Sequence, residues 1–230
     1  MDFIFMLTRQ DQTVVDCLEV FQAIRGCGLT HVGFKDIGVE RDSLRRLHDA
    51  IKESGATSYM EVVATSPEAM LRSARVALEL GVDRLMGGTA VAETLKLLQG
   101  SGIAYYPFPG RPEGHPTKLG GSPAEVEQQC RIFMEQGCAG ADLLAYRATE
   151  AEPLALVRAA RRGLGKGHLI CAGSVDSPAR IAALAEAGCD GFTIGSAAFD
   201  GSFAPRRGLL TGQLAEILAA AKPASRRAAV

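Results

Sequence analysis

The chain has 230 residues, 47% of them hydrophobic, enough for one large α/β core or two small ones. Its formal net charge is −1 with acids and bases interspersed, which excludes the basic stripe of a nucleic-acid-binding surface and the charge block of an acidic disordered tail. No apolar run approaches the roughly 18 residues of a membrane span, and the opening MDFIFMLTRQ lacks a basic flank and a small-residue cleavage site, so a cytoplasmic protein that starts with a buried strand is expected.

In chain order, a strand is predicted near 3–8 and a helix near 13–26, then a strand near 31–36 and a helix near 40–54. The same alternation continues with strand 58–64 and helix 67–80, strand 83–87 and helix 90–100, strand 103–107 and helix 123–136. It ends with strand 141–146 and helix 151–163, strand 168–172 and helix 178–187, strand 191–195 and a last helix near 208–221. Three of the starts, TSPEAM, GSPAEV and DSPARI, place Ser before Pro: the hydroxyl accepts an orphan backbone N–H, and Pro has none to orphan. Helix ends such as LELGVD, MEQGCA and AEAGCD stop at Gly, which adopts the left-handed conformation without a Cβ clash. Eight βα units with short apolar strands predict a (β/α)8 TIM barrel, a single domain over 1–222 followed by a frayed tail 223–230. An open doubly wound sheet is the alternative, but no strand leads into a G-x-G-x-x-G turn.

Six cysteines (Cys17, Cys27, Cys130, Cys138, Cys171 and Cys189) are scattered without a C-x-x-C or a Cys/His cluster. They read as buried thiols, and no zinc site or cofactor motif is predicted. An oxygen-ligated metal and a homo-oligomer both stay open.

The last two predicted strands end alike, CAGS at Gly173-Ser174 and TIGS at Gly195-Ser196, the second followed by AAF, enough for one helical turn. Glycine lets main chain approach a ligand closely, and exposed backbone N–H groups favour an anion. The stretch LICAGSVDSPARIAALAEAGCDGFTIGSAAF resembles the last quarter of the ribulose-phosphate-binding barrels, a superfamily that includes N-acetylmannosamine-6-phosphate epimerase, indole-glycerol-phosphate synthase, the tryptophan synthase α chain and the KDPG-type aldolases. The resemblance implies that Gly173, Ser174, Gly195 and Ser196 bind a phosphate, and hence that the partner is a small phosphorylated metabolite. It implies nothing about catalytic residues.

Those come from the other strand tips. In VGFKDIG, Val32 and Phe34 are expected to face the helices, which turns Lys35 into the barrel with Asp36 beside it. In SYMEVVATS, Met60 and Val62 face outward and Glu61 inward, so Lys35 and Glu61 are neighbours across adjacent strands. Such a pair suits Schiff-base or proton-shuttle chemistry, or else forms a structural ion pair that plugs the barrel. The segment PFPGRPEGHPTKLGGSP, 107–123, is too rich in Pro and Gly for a helix or central strand and reads as a lid carrying Arg111, His115 and Lys118. His31, His48 and His168 read as structural. Arg9, Arg147, Gly88 and Thr89 at other strand ends complete the substrate-binding candidates.

Together these features predict an enzyme acting on a small phosphorylated sugar or keto acid, an aldolase-like lyase with Lys35, Glu61, Asp36 and His115 at its catalytic centre. A phosphosugar isomerase or epimerase is the first alternative, and a non-catalytic sensor resembling glycerol-operon antiterminator proteins the second. The lysine of the KDPG-type aldolases sits on a later strand and the D-x-K-x-x-D pattern of phosphosugar decarboxylases is absent, which leaves the reaction type open.

Overall fold

In the computed structural model, which describes residues 1–114 and 116–222, the alternation is realised as a parallel barrel. Its strands are β1 (Asp2–Met6), β2 (His31–Lys35), β3 (Thr57–Val62), β4 (Arg84–Gly87), β5 (Ala104–Tyr106), β6 (Gly140–Leu143), β7 (His168–Cys171) and β8 (Gly191–Ile194). Pairing runs β6-β7-β8-β1-β2-β3-β4-β5. The two ends of that sheet meet where Ala139 N–H donates to Tyr105 O at 2.9 Å and Asp142 N–H to Pro107 O at 3.0 Å, so the barrel is nearly closed. His115 and the tail 223–230 lie outside the described residues.

The helices are α1 (Cys17–Ile24), α2 (Arg41–Glu53), α3 (Pro67–Leu80), α4 (Val91–Leu98), α5 (Pro123–Gln136), α6 (Pro153–Leu164), α7 (Pro178–Glu186), the single turn α8 (Ser196–Phe199) and α9 (Leu210–Ala221). All three Ser-Pro starts act as read: Ser66, Ser122 and Ser177 accept from the N–H of Ala69, Glu125 and Arg180, and Glu125 closes a full capping box. Among the described residues no helix is long and apolar enough to cross a membrane. All six cysteines are unpaired thiols, and only Cys27 is not buried.

Three local readings change. Helix α1 starts at Cys17 rather than near 13, because Thr8–Arg9 and Gln12–Thr13 form a small antiparallel hairpin whose turn residues Gln10 and Asp11 take φ of 50° and 60°. Strand β6 stops at Leu143, and Ala145–Arg147 is a 3-10 turn that swings Arg147 back over the mouth. Within 107–123, Arg111–Glu113 pairs with Lys118–Gly120 as a second ribbon outside the barrel.

Two apolar layers divide along the strand alternation. Phe3, Phe5, Val32, Phe34, Met60 and Phe192 pack outward against the helices. Ile4, Met6, Tyr59, Met86, Tyr106 and Ile170 fill the barrel itself. This is the filled interior expected of a closed eight-stranded barrel, in which the strand ends and not a pore supply the working surface. At the N-terminal end the fill is capped by polar contacts: Arg84 Nη1 donates to Tyr59 OH at 2.7 Å, Tyr59 OH meets His31 Nδ1 at 3.1 Å, and the Nε2 atoms of His31 and His168 each lie 3.8 Å from Asp2.

The outer layer depends on close helix contact at one glycine. A Cβ on Gly163 of α6 would lie 2.3 Å from Glu127 O and 2.7 Å from Cys130 Cβ of α5. Gly163→Ala is therefore expected to lower stability by roughly 1–3 kcal/mol through overpacking. Urea unfolding checks it: the midpoint should fall at unchanged slope, whereas Gly26→Ala, with nothing near its added Cβ, should leave the midpoint in place.

Candidate active site

The C-terminal strand ends enclose a pocket of about 350 Å³ that brings together both Gly-Ser tips with Lys35, Glu61 and Arg147. Lys35 and Glu61 are directly opposite in the β2–β3 register, and Lys35 Nζ lies 3.1 Å from Glu61 Oε2. The backbone of Lys35 is clamped by Thr13 of the first hairpin, whose hydroxyl accepts from Lys35 N–H at 2.8 Å and donates to Lys35 O at 2.7 Å.

The hairpin turn supplies a residue that the sequence reading missed. Asp11 Oδ1 accepts from Lys35 Nζ at 2.9 Å, and both Asp11 oxygens accept from the Arg147 guanidinium, at 3.0 and 3.2 Å. Burial alone would raise the Asp11 carboxyl, but the Arg147 and Lys35 cations outweigh it and hold it well below the usual carboxylate range. Burial would likewise depress the Lys35 ammonium, yet the Glu61 and Asp11 carboxylates outweigh it and raise it above its ordinary value. Nothing in QDQT separates a hairpin turn from a helix entry, so Asp11 was not legible.

Asp142 was legible and was passed over. It stands between Ala141 and Leu143, which face the helices, so the alternation that turned Lys35 inward turns Asp142 inward too. It is 0% exposed, and neither carboxylate oxygen has a hydrogen-bond partner among the described residues. Burial pushes its carboxyl well above the ordinary value, Glu61 adds to the push, and Lys35 and Arg147 oppose it. With Asp142 protonated, the group of Asp11, Glu61, Lys35 and Arg147 around it is neutral.

At the β7 tip, Gly173 has φ +75°, and a Cβ there would sit 2.4 Å from Arg147 Nε. At the β8 tip, a Cβ on Gly195 would sit 2.6 Å from Thr8 O. The room these glycines make is thus filled by the protein: Gly173 admits the Arg147 side chain and Gly195 admits Thr8 at the start of the hairpin. Ser174 holds a left-handed φ of 57°, uncommon for a residue with a side chain. Its carbonyl accepts from Arg180 Nη1 at 2.6 Å, and Arg180 stacks on Tyr146 at 4.7 Å. Two further carboxylates on the wall already have cations, Asp176 with Arg180 at 2.7 Å and Asp200 with Arg9.

The remaining described candidates do not line this pocket. Arg9 is exposed and bound to Asp200. Asp36 lines a separate groove with Arg41 and Arg72. Gly88 follows β4 with φ +70°, and Thr89 lines a different cavity together with Arg111. Arg111 is tied to Glu125 and Glu150, and Lys118 sits exposed on the ribbon. His115 is outside the described residues, while its neighbour Pro116 lines the pocket and Thr117 O accepts from Arg147 Nη1 at 3.3 Å. His31 and His168 belong to the opposite end of the barrel, and His48 is buried on α2.

The two missed acids predict opposite pH effects. Asp11 has a lowered folded pKa, so its contribution is present above the unfolded carboxylate value near about 3.9 and is lost as pH falls. Asp11→Asn should cost about 1–3 kcal/mol at neutral pH, a cost that shrinks in acid. Asp142 has a raised folded pKa, so the native state keeps a proton that the unfolded chain releases, and stability falls as pH rises above the unfolded value. Asp142→Asn, neutral and of the same shape, should stabilise more at pH 7 than at pH 4.5. Paired denaturant titrations at the two pH values check both signs.

No family model and no curated protein matches the chain. Solved structures do. A native KDPGal structure aligns at 17% identity over 96% of this chain and 92% of that one, with a TM-score of 0.65. A 3-hexulose-6-phosphate synthase aligns at 14% identity over 96% and 100%, also with a TM-score of 0.65. Orotidine 5'-phosphate decarboxylase from Pyrococcus horikoshii OT3 aligns at 11% identity over 93% and 99%, with a TM-score of 0.60. At these identities the likeness is one of architecture alone, and it agrees with the strand order and filled interior of a nearly closed (β/α)8 barrel.

Proposed function

We propose that the protein is an enzyme that acts on a small phosphorylated sugar or keto acid through an enediolate, with the phosphate held at the Gly-Ser tips of β7 and β8. One observation carries this reading: the Lys35 ammonium lies between Asp11 and Glu61 in the same pocket as both tips. Ser174, Ser196 and the first turn of α8 offer hydroxyl and backbone N–H donors to the phosphate, and Arg147 offers a guanidinium at the edge of the pocket.

Glu61 serves as the base. It takes a proton from the carbon next to the substrate carbonyl; the C–H electron pair forms the C=C bond, and the carbonyl π pair moves onto oxygen. The Lys35 ammonium, kept charged by its two carboxylates, stabilises that oxyanion and donates a proton to it. Return of the proton to carbon completes an isomerisation or epimerisation. In the lyase outcome Glu61 instead takes the proton of the hydroxyl β to the carbonyl; the O–H pair forms a new C=O as the Cα–Cβ bond breaks, the Cα–Cβ pair forms the C=C of the same enediolate, and protonation of its carbon releases the second product. A Schiff base needs a neutral amine, which the two carboxylates disfavour, so the enediolate route is preferred to the aldolase route.

The sensor reading has an observation in its favour as well: every charge at the pocket floor is already internally paired. A lysine replacement separates the two. In the enzyme, Lys35→Met retains inorganic phosphate binding by calorimetry and lowers turnover of a phosphosugar found by thermal-shift screening at least about a hundredfold. Borohydride with that substrate leaves no adduct on Lys35. Unchanged turnover in Lys35→Met would defeat the catalytic assignment, and a trapped adduct would restore the Schiff base.

A further inference from the structure

Beside the pocket lies a second cavity of about 240 Å³, at the ends of β3, β4 and β5. Neighbouring residues of the chain line the two. The chain leaves β3 with Glu61 in the first pocket and, a few residues on, places Ala64 and Thr65 in the second; on the ribbon, Pro116 lines the first and Thr117 the second.

Its chemistry differs from that of the first. Thr117 is 5% exposed, and its buried hydroxyl has no hydrogen-bond partner among the described residues, an unmet cost that a bound group would remove. Among the described residues the Thr89 N–H and hydroxyl meet only the sulfur of Met70, at 3.3 and 3.6 Å, and a thioether is a weak acceptor. Phe108 and Met70 supply apolar surface. Among the described residues the one charged side chain on the wall, Arg111, is already bound by Glu125 and Glu150, so it brings no net positive charge to draw an anion. As to size, a cavity of about 150 Å³ lined by apolar side chains admits benzene.

We propose that this second chamber binds a neutral, ring-sized group bearing a hydrogen-bonding oxygen, and that it receives the end of the substrate remote from its phosphate. The first half stands on the chamber alone; the second rests on the phosphate reading above. The ligand class that follows is a phosphate ester whose far end is uncharged and partly apolar, in place of a second phosphate or a carboxylate.

The test titrates the full-length protein with phenol by ligand-observed NMR and, separately, with inorganic phosphate by calorimetry. Phenol is expected to bind saturably, to weaken about tenfold in Thr117→Val, which keeps the shape and removes the hydroxyl, and to be lost in Ala64→Leu, which fills the chamber. Phosphate affinity should be unchanged in both variants. Absence of saturable phenol binding by the wild type, or equal binding by both variants, overturns the proposal. Phosphate binding without phenol binding overturns the chamber and leaves the phosphate reading intact; phenol binding without phosphate binding supports the chamber and removes the phosphate reading.

Discussion

Lys35 enters a barrel mouth from which most water is excluded, and it keeps its charge there because two carboxylates face it. Removing an ammonium from water costs several kcal/mol even after relaxation, so the surrounding elements are arranged to meet that cost. Glu61 comes from the neighbouring strand, Asp11 from a hairpin folded back over the mouth, and Arg147 from a 3-10 turn on the far side, closing the circle through Asp11. Four segments, the outermost of them 136 residues apart in the chain, are thereby held together by charge. The hairpin turn carries Asp11 to this point, and Thr13 fastens its other strand to the Lys35 backbone.

The barrel has two ends with different tasks, and single strands serve both. On β3, Tyr59 points into the N-terminal cap with Arg84 and His31, and Glu61, two residues on, points into the mouth. The cap joins aromatic rings to the Arg84 guanidinium, which lies 5.2 Å from the Tyr59 ring centre and 5.8 Å from that of Tyr106. These contacts seal the bottom of the barrel. The top is left open, with strained or glycine-dependent backbone at Ser174, Gly173 and Gly88. Backbone of that kind concentrates where a surface is shaped for a ligand.

The glycines of the rim carry a lesson about reading small residues. Their places at the strand tips suggest space for a ligand, but the adjacent volume belongs to Arg147 and to Thr8 of the hairpin. They let the rim close tightly, and the hydroxyls and N–H groups beside them then face the pocket. The ribbon 111–120 similarly partitions the mouth, with Pro116 on one side and Thr117 on the other.

Sequence alone determined the barrel, because helix caps, glycine stops and strand alternation are local: each depends on residues within one turn or one pleat. It placed Lys35 against Glu61 for the same reason, since the period of two and the order of the strands suffice to predict a cross-strand neighbour. Asp142 was open to that argument as well. Tertiary structure alone decided the rest. Asp11 joins the site only because the stretch between the first predicted strand and helix folds back as a hairpin, and Arg111 leaves it because Glu125 and Glu150, distant in sequence, hold it on the ribbon. Long side chains take the partner that the folded chain brings within about 4 Å, and local sequence carries no record of which partner that is.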